Sequence, residues 1–225
     1  MNTNTNTNTN DNKKIIIDFD GTLAASFDLF IEAMRAAHIK YSFRNVEDDE
    51  IETFRHYSAW QILKFLGLPM YQVPSVTRYI RRYMTAKVKA LPLASDWQET
   101  LQTLALDYEL VILSSNSNQN IQTFLNQHEL TCFSEIVSDV GLFGKVKAMR
   151  KLIKDNCWLN KDVFYIGDEI RDIKAAKKAK ISSIAVTWGY NAEQALITHQ
   201  PDHVISNSNT LIEILQCAEF KSEKQ

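Results

Sequence analysis

Three short, nearly unbroken apolar runs, Ile15–Ile17, Leu110–Leu113 and Val163–Ile166, constrain this chain more than any other feature. A strand that is apolar on successive residues has both faces covered, and such strands belong at the centre of a parallel sheet with helices above and below. Parallel neighbours need a crossover of a dozen or more residues, usually a helix. From about residue 91 onward strand and helix patterns alternate in this way: "YELVILSS", "NQNIQTFLNQH", "FSEIVSD", "KVKAMRKLIKDN", "DVFYIGD", "EIRDIKAAKKAK", "ISSIAVTWG" and "DHVIS". The expected fold class is α/β, with a Rossmann-like parallel sheet as its core.

No strand is evident from about 26 to 90. "SFDLFIEAMRAAHIK" places Phe27, Phe30, Ile31 and Met34 on one helical face. "SAWQILKFLGLP" starts on Ser58 as an N-cap and stops at Gly67, with Pro69 behind it. "PSVTRYIRRYMTAKVKAL" turns Val76, Ile80 and Tyr83 inward and leaves Arg78, Arg81 and Arg82 to a solvated face. Residues 13–25 and 91–225 are therefore expected to form the α/β core and 26–90 an inserted all-helical cap. Residues 1–12, "MNTNTNTNTNDN", read as a disordered low-complexity tail.

Composition narrows the functional classes. With 45% hydrophobic residues among 225 the chain can bury a full core. Its 25 basic and 27 acidic residues give a net charge of −2, so there is no global pull towards nucleic acid or a membrane, and anion binding must be local. No apolar run approaches the roughly 20 residues of a membrane helix, and the start of the chain lacks the apolar segment of a secretory signal. Cys132, Cys157 and Cys217 are odd in number and lack metal-ligand spacing, and they read as buried or idle thiols of a reducing compartment. A cytoplasmic protein is expected; the sequence leaves the oligomeric state open.

Ligands of open α/β sheets sit outside the carboxyl ends of the strands, so the polar residues there carry the function. The first strand ends in Asp18 and Asp20, followed by Gly21 and Thr22; a second ends in Ser114, Ser115 and Asn116; a third ends in Gly167, Asp168 and Glu169, with Asp172 one helical turn on. Crowded carboxylates repel by several kcal/mol in a low-dielectric cleft and call for a counter-charge. Hard oxygen ligands, few of them supplied by protein, are the pattern for Mg2+, which keeps waters and bridges to substrate phosphate. Ser114, ahead of a helix beginning near Ser117, suits a phosphate seat, and "GLFGKVKAM" offers Lys145 and Lys147 as the accompanying cation. Lys145, read as a loop residue ahead of a helix whose buried side is Ala148, Leu152 and Ile153, is preferred, because two positions along a helix differ by about 200°.

"DFDGTL", the serine of "VILSSN", the lysine of "FGK" and "GDEIRD" together resemble the four ordered motifs of the haloacid dehalogenase superfamily, in its phosphoglycolate-phosphatase-like branch. The resemblance implies a magnesium-dependent phosphatase of a small phosphorylated metabolite. It implies Asp18 as the nucleophile of an aspartyl-phosphate and Asp20 as general acid and then base. Ser114 and Lys145 become phosphate ligands, with Gly21, Thr22, Ser115 and Asn116 as further substrate-binding candidates. Mg2+ falls to Asp18, the Asp20 carbonyl and Asp168, with Asp172 supporting. The alternatives are a phosphomutase of the same build and a catalytically idle phosphate-binding module. Two positions depart from the family pattern: Ala25 stands where an aspartate is common, and Lys180 where a glycine usually ends the helix. Arg55 and His56 are the candidates for a substrate-facing cap loop, and Trp188 is assigned to packing. His38, His128, His199 and His203 read as surface or structural residues.

Overall fold

The computed structural model describes residues 13–141 and 144–222, with side chains as far as Gln216. The expectations for the 1–12 tail and for Cys217 lie outside the described residues. Six strands, β1 (Lys14–Ile17), β2 (Glu109–Leu113), β3 (Phe133–Val137), β4 (Val163–Gly167), β5 (Ser182–Val186) and β6 (His203–Ile205), form one parallel sheet in the order β3-β2-β1-β4-β5-β6. The strand order reverses at β1, which opens a crevice at the carboxyl ends of β1, β2 and β4.

The isoleucine run works on both faces at once. Ile15 and Ile17 pack with Trp97, Leu101, Phe124, Leu211 and Leu215 from α5 (Trp97–Leu104), α6 (Asn118–Gln127) and α10 (Asn209–Ser222). Ile16 points the other way, into Met149, Leu152, Ile153, Ala175 and Ala176 from α7 (Lys145–Asp155) and α8 (Ile170–Ala179). Each fully buried isoleucine is worth about 1.5–3 kcal/mol, so β1 is anchored from both sides. A short helix, α9 (Glu193–Thr198), links β5 to β6.

Four helices stand between β1 and α5: α1 (Phe27–Tyr41), α2 (Ile51–Arg55), α3 (Ala59–Phe65) and α4 (Val73–Lys87). They enclose an apolar cluster of their own, including Met34, Phe43, Phe54, Leu66 and Val76. Ser58 starts α3 with a capping box to Gln61, and Gly67 ends it in the left-handed region at φ 61°. The insert leaves and rejoins the core at one point, where Ala24 bridges Leu93 and the Ala25 N–H donates to the Pro92 carbonyl at 3.0 Å.

Several expectations need correction. Lys145 is not in a loop: α7 begins on it, with Gly144 as N-cap. The buried stripe of α7 is Lys145, Met149, Leu152 and Ile153, spaced i, i+4, i+7 and i+8, and Ala148 is only half-buried. Reading the face from apolar residues alone turns a lysine outward, which hid the first turn. Arg81 is exposed yet not merely solvated, since it donates to the Ser115 carbonyl at 3.1 Å and pairs with Asp139 at 3.5 Å. Cys157 is an exposed free thiol, and Cys132 is half-buried.

Lys180 ends α8 in the left-handed conformation, φ 62° and ψ 44°, without a glycine to relieve it. Lys180→Gly should therefore raise stability by about 0.5–1 kcal/mol, seen as a higher urea midpoint at unchanged slope, whereas Lys180→Ala should bring no gain.

Candidate active site

The sheet delivers its polar strand ends to one place. The Asp18 N–H donates to the Ile166 carbonyl of β4 at 2.9 Å, so the residue after β1 stays in register with its neighbour. Its buried carboxylate accepts from the Phe19 N–H at 2.8 Å and from Lys145 Nζ at 2.5 Å. The same Nζ donates to Asp172 Oδ1 at 2.5 Å, so one buried ammonium bridges two buried carboxylates. Lys147 is exposed.

Every other oxygen in the cluster is held by something nearby. Asp172 accepts from the Tyr165 hydroxyl at 3.2 Å and, through Oδ2, from the Glu169 N–H at 3.0 Å, where it completes a capping box with Glu169 at the start of α8. Asp168 accepts from the Thr22 hydroxyl at 2.7 Å and from the Tyr190 N–H at 2.7 Å. The half-buried Asp20 receives both contacts of the Asn116 amide, at 3.2 and 2.9 Å. Ser114 Oγ, fully enclosed at the end of β2, accepts from the Asn116 N–H at 3.0 Å. Ser117 caps α6 by accepting from the Asn120 N–H at 3.3 Å.

Crowding of this kind demands glycine. Gly21 sits at φ 76°, and a Cβ there would fall 2.2 Å from Asp168 Oδ2. Gly189 meets Asp168 from the other side, where a Cβ would lie 2.2 Å from the Asp168 Cβ.

Of the residues singled out from sequence, Asp18, Lys145, Asp168 and Asp172 are brought into one cluster. Thr22 and Asn116 turn their side chains to Asp168 and Asp20, and the Ser115 carbonyl is taken by Arg81. The Arg55 guanidinium donates to the Thr187 and Gly189 carbonyls, at 3.3 and 3.0 Å, while His56 stays at the surface beside Glu52. Trp188 packs on Trp97, and both indoles donate to the Thr22 carbonyl. Tyr165, Arg171, Tyr190 and Asn191 were missed, and Glu169, placed at the strand end, was given no role. Two signals were there: a tyrosine inside an apolar strand needs a partner for its hydroxyl, and "TWGYN" is the polar end of a fourth strand at the same sheet edge.

Burial sets the electrostatics. It pushes the Asp18 carboxyl up to about 7, against the opposing pull of Lys145. Burial, with the charges of Glu169, Asp172 and Asp18, drives Asp168 well above the carboxylate range. Burial also raises Asp20, against hydrogen bonds from Asn116 and Ser26. For Lys145 burial works downward, but Asp172 and Asp18 outweigh it and hold the ammonium charged. Arg171 pairs with Glu169 at 2.5 Å and also pulls on Asp18, so the four aspartates of the cluster outnumber the two cations beside them. Carboxylate oxygens of Asp18, Asp168 and Asp172 lie within 4.8 Å of one another, all buried and all hard donors, a set that fits a small divalent cation.

Fold and site together define a Rossmann-like α/β protein with a buried carboxylate cluster at the switch point of its sheet. The profile of the haloacid dehalogenase-like hydrolases matches residues 15–186, and the chain belongs to that family. It is 30% identical over 201 residues to the phosphoglycolate phosphatase of Synechococcus elongatus, covering 88% of this chain and 95% of that one. The pyrophosphatase PpaX of Bacillus pumilus is 23% identical over 220 residues, 89% of this chain and 95% of its own. Among solved structures, the haloacid dehalogenase-like hydrolase SP0104 from Streptococcus pneumoniae superposes with a TM-score of 0.77 at 20% identity, over 90% of this chain and 98% of that one.

The raised carboxyls make a signed prediction for the metal-free protein. Asp18 holds its proton more tightly folded, near 7, than unfolded, near 3.8, so its contribution is full below about pH 4 and is lost as pH rises through 7. Asp20 and Asp168 act in the same direction. In EDTA the urea midpoint should fall between pH 5 and pH 8, and Asp18→Asn should flatten that fall; a midpoint that climbs over this window and is insensitive to the substitution would contradict the assignment.

Proposed function

We propose that this protein is a magnesium-dependent phosphatase that hydrolyses a small phosphorylated metabolite through an aspartyl-phosphate on Asp18. The observation that carries the reading is the Asp18 carboxylate at the sheet's switch point, bridged to Asp172 by Lys145 and close to Asp168. Family membership and the phosphatase names of its relatives support it.

In this reading Asp18 attacks phosphorus and the leaving alcohol departs with a proton from Asp20. Asp20 then takes a proton from the water that attacks the aspartyl-phosphate and frees phosphate and Asp18. A carboxyl raised by burial suits the acid half of that cycle, and the Asn116 amide holds it in place. Lys145 offsets charge on the equatorial phosphoryl oxygens, and Ser114 with the α6 N-terminus offers donors to them. Asp18, the Asp20 carbonyl and Asp168 would hold Mg2+, with Asp172 supporting, and the ion when bound supplies the positive charge that four acids lack.

The helices of residues 26–90 act as a cap over residues 13–25 and 91–225, shielding the site and choosing the leaving group. Phosphoglycolate is the first substrate to test and pyrophosphate the second, after the named activities of the relatives. A cytoplasmic setting goes with a phosphorylated metabolite as the partner. Among the described residues, no helix is long and apolar enough to cross a membrane.

Phosphate release from a panel of phosphorylated metabolites, with Mg2+ and with EDTA, tests the reading. Release should require Mg2+; isomerisation of a sugar phosphate without free phosphate, or full activity in EDTA, would overturn it. Asp18→Asn should abolish turnover with the fold retained, and a tenth of wild-type activity remaining would exclude the covalent route. Lys145→Ala should cost on the order of 100-fold or more in turnover, while Lys147→Ala should stay within about twofold of wild type.

A further inference from the structure

The loop after β5 touches both halves of the molecule. Asn191 is almost fully buried, and each end of its carboxamide is engaged with a different part of the fold. Its Oδ1 accepts from the Ile170 N–H, the first residue of α8, at 2.9 Å. Its Nδ2 donates to the Arg55 and Tyr57 carbonyls of the insert, at 2.8 and 3.0 Å. The clasp is reciprocal: the Arg55 guanidinium returns hydrogen bonds to the Thr187 and Gly189 carbonyls of the same loop. Between those ends, the Tyr190 N–H sits on Asp168 Oδ2, and its ring packs against Phe27 and Phe30 of α1. Beside the clasp a crevice of about 310 Å³ lies between Ser58 and Trp60 of the insert and Lys145, Arg171 and Lys174 of the core, with Asn191 in its wall.

We propose that Asn191 is a positioning residue for the reaction: it fixes the 55–57 turn of the insert against the N-terminus of α8 and so sets the width of the crevice between the insert and the Lys145 side of the acid cluster. The proposal rests on the phosphatase reading above for its catalytic consequence, not for the clasp itself. An insert free to ride on its two linkers would hold the crevice at no fixed width. Five hydrogen bonds across the 55–57 and 187–192 segments, including the Ala192 N–H to the Arg55 carbonyl at 2.8 Å, remove that freedom. The same loop binds Asp168, so the seat of the insert and the acid cluster share one support.

Two variants separate this from a merely structural asparagine. Asn191→Asp keeps an acceptor for the Ile170 N–H but turns an acceptor-only group on the two insert carbonyls. Arg55→Ala breaks the other half of the clasp without placing charge near Asp168. Each should raise amide exchange across Ala59–Phe65 at least tenfold while the central strands stay protected. Each should also lower the ratio of kcat/KM for 2-phosphoglycolate to that for p-nitrophenyl phosphate at least fivefold. Damage to the chemistry alone moves both substrates together and leaves that ratio unchanged. The double variant should match the worse single one, because both break one clasp. An unchanged exchange rate or an unchanged ratio in both variants would overturn the proposal, as would multiplicative effects in the double variant. If neither ester is hydrolysed by the parent protein, the phosphatase reading fails and the exchange measurement alone decides the clasp.

Discussion

A single ammonium shared by two buried carboxylates is the interaction on which the rest of this structure depends. Asp18 and Asp172 are far apart in the sequence, and Lys145 Nζ holds both at 2.5 Å, all three side chains being buried. Burying one acid without a partner is prohibitive, and burying several is possible only if every oxygen is met. The structure meets them with the Thr22 and Tyr165 hydroxyls, the Asn116 amide and the N–H groups of Phe19, Glu169 and Tyr190. Gly21 and Gly189 follow from the same crowding, since a side chain at either would collide with Asp168.

That cluster is also out of balance, with more acid than base and carboxyls raised by burial. A site in this condition stores unfavourable electrostatics that a hard cation or a protonated acid can relieve, and those are the two things the proposed phosphoryl transfer to Asp18 would call for. Stability and chemistry therefore pull on the same residues. The sheet supplies the rigidity that holds them there, with β1 locked from both faces by Ile15, Ile16 and Ile17.

Most of the sheet and the acidic strand ends were legible because they are written in consecutive residues. Apolar runs announce buried parallel strands, and Asp18, Ser114 and Asp168 stand directly behind them. What could not be read were partnerships between distant segments. Thr22 serves Asp168 across 146 positions and Asn116 serves Asp20 across 96, and nothing local marks either pair. The start of α7 was misplaced for a different reason: its first inward residue is the charged Lys145, which counts against a buried face until its two carboxylates are seen. The Arg81 bridge to Ser115 and the Asn191 clasp likewise exist only once the insert is seated on the core.

The pairing of Ala24 with Leu93 has a consequence for how the chain reaches this state. β1 must find β2 across a wide gap, Lys14 pairing with Glu109, before the central register exists. Closing so long a loop is slow, although its entropic cost grows only about 0.6 kcal/mol per doubling of length. An insert that condenses early around its own apolar cluster, with its two ends brought together at one bridge, shortens that search to the span of a hairpin. Helices that form from local contacts would then act as a folding clamp for the strand ahead of them.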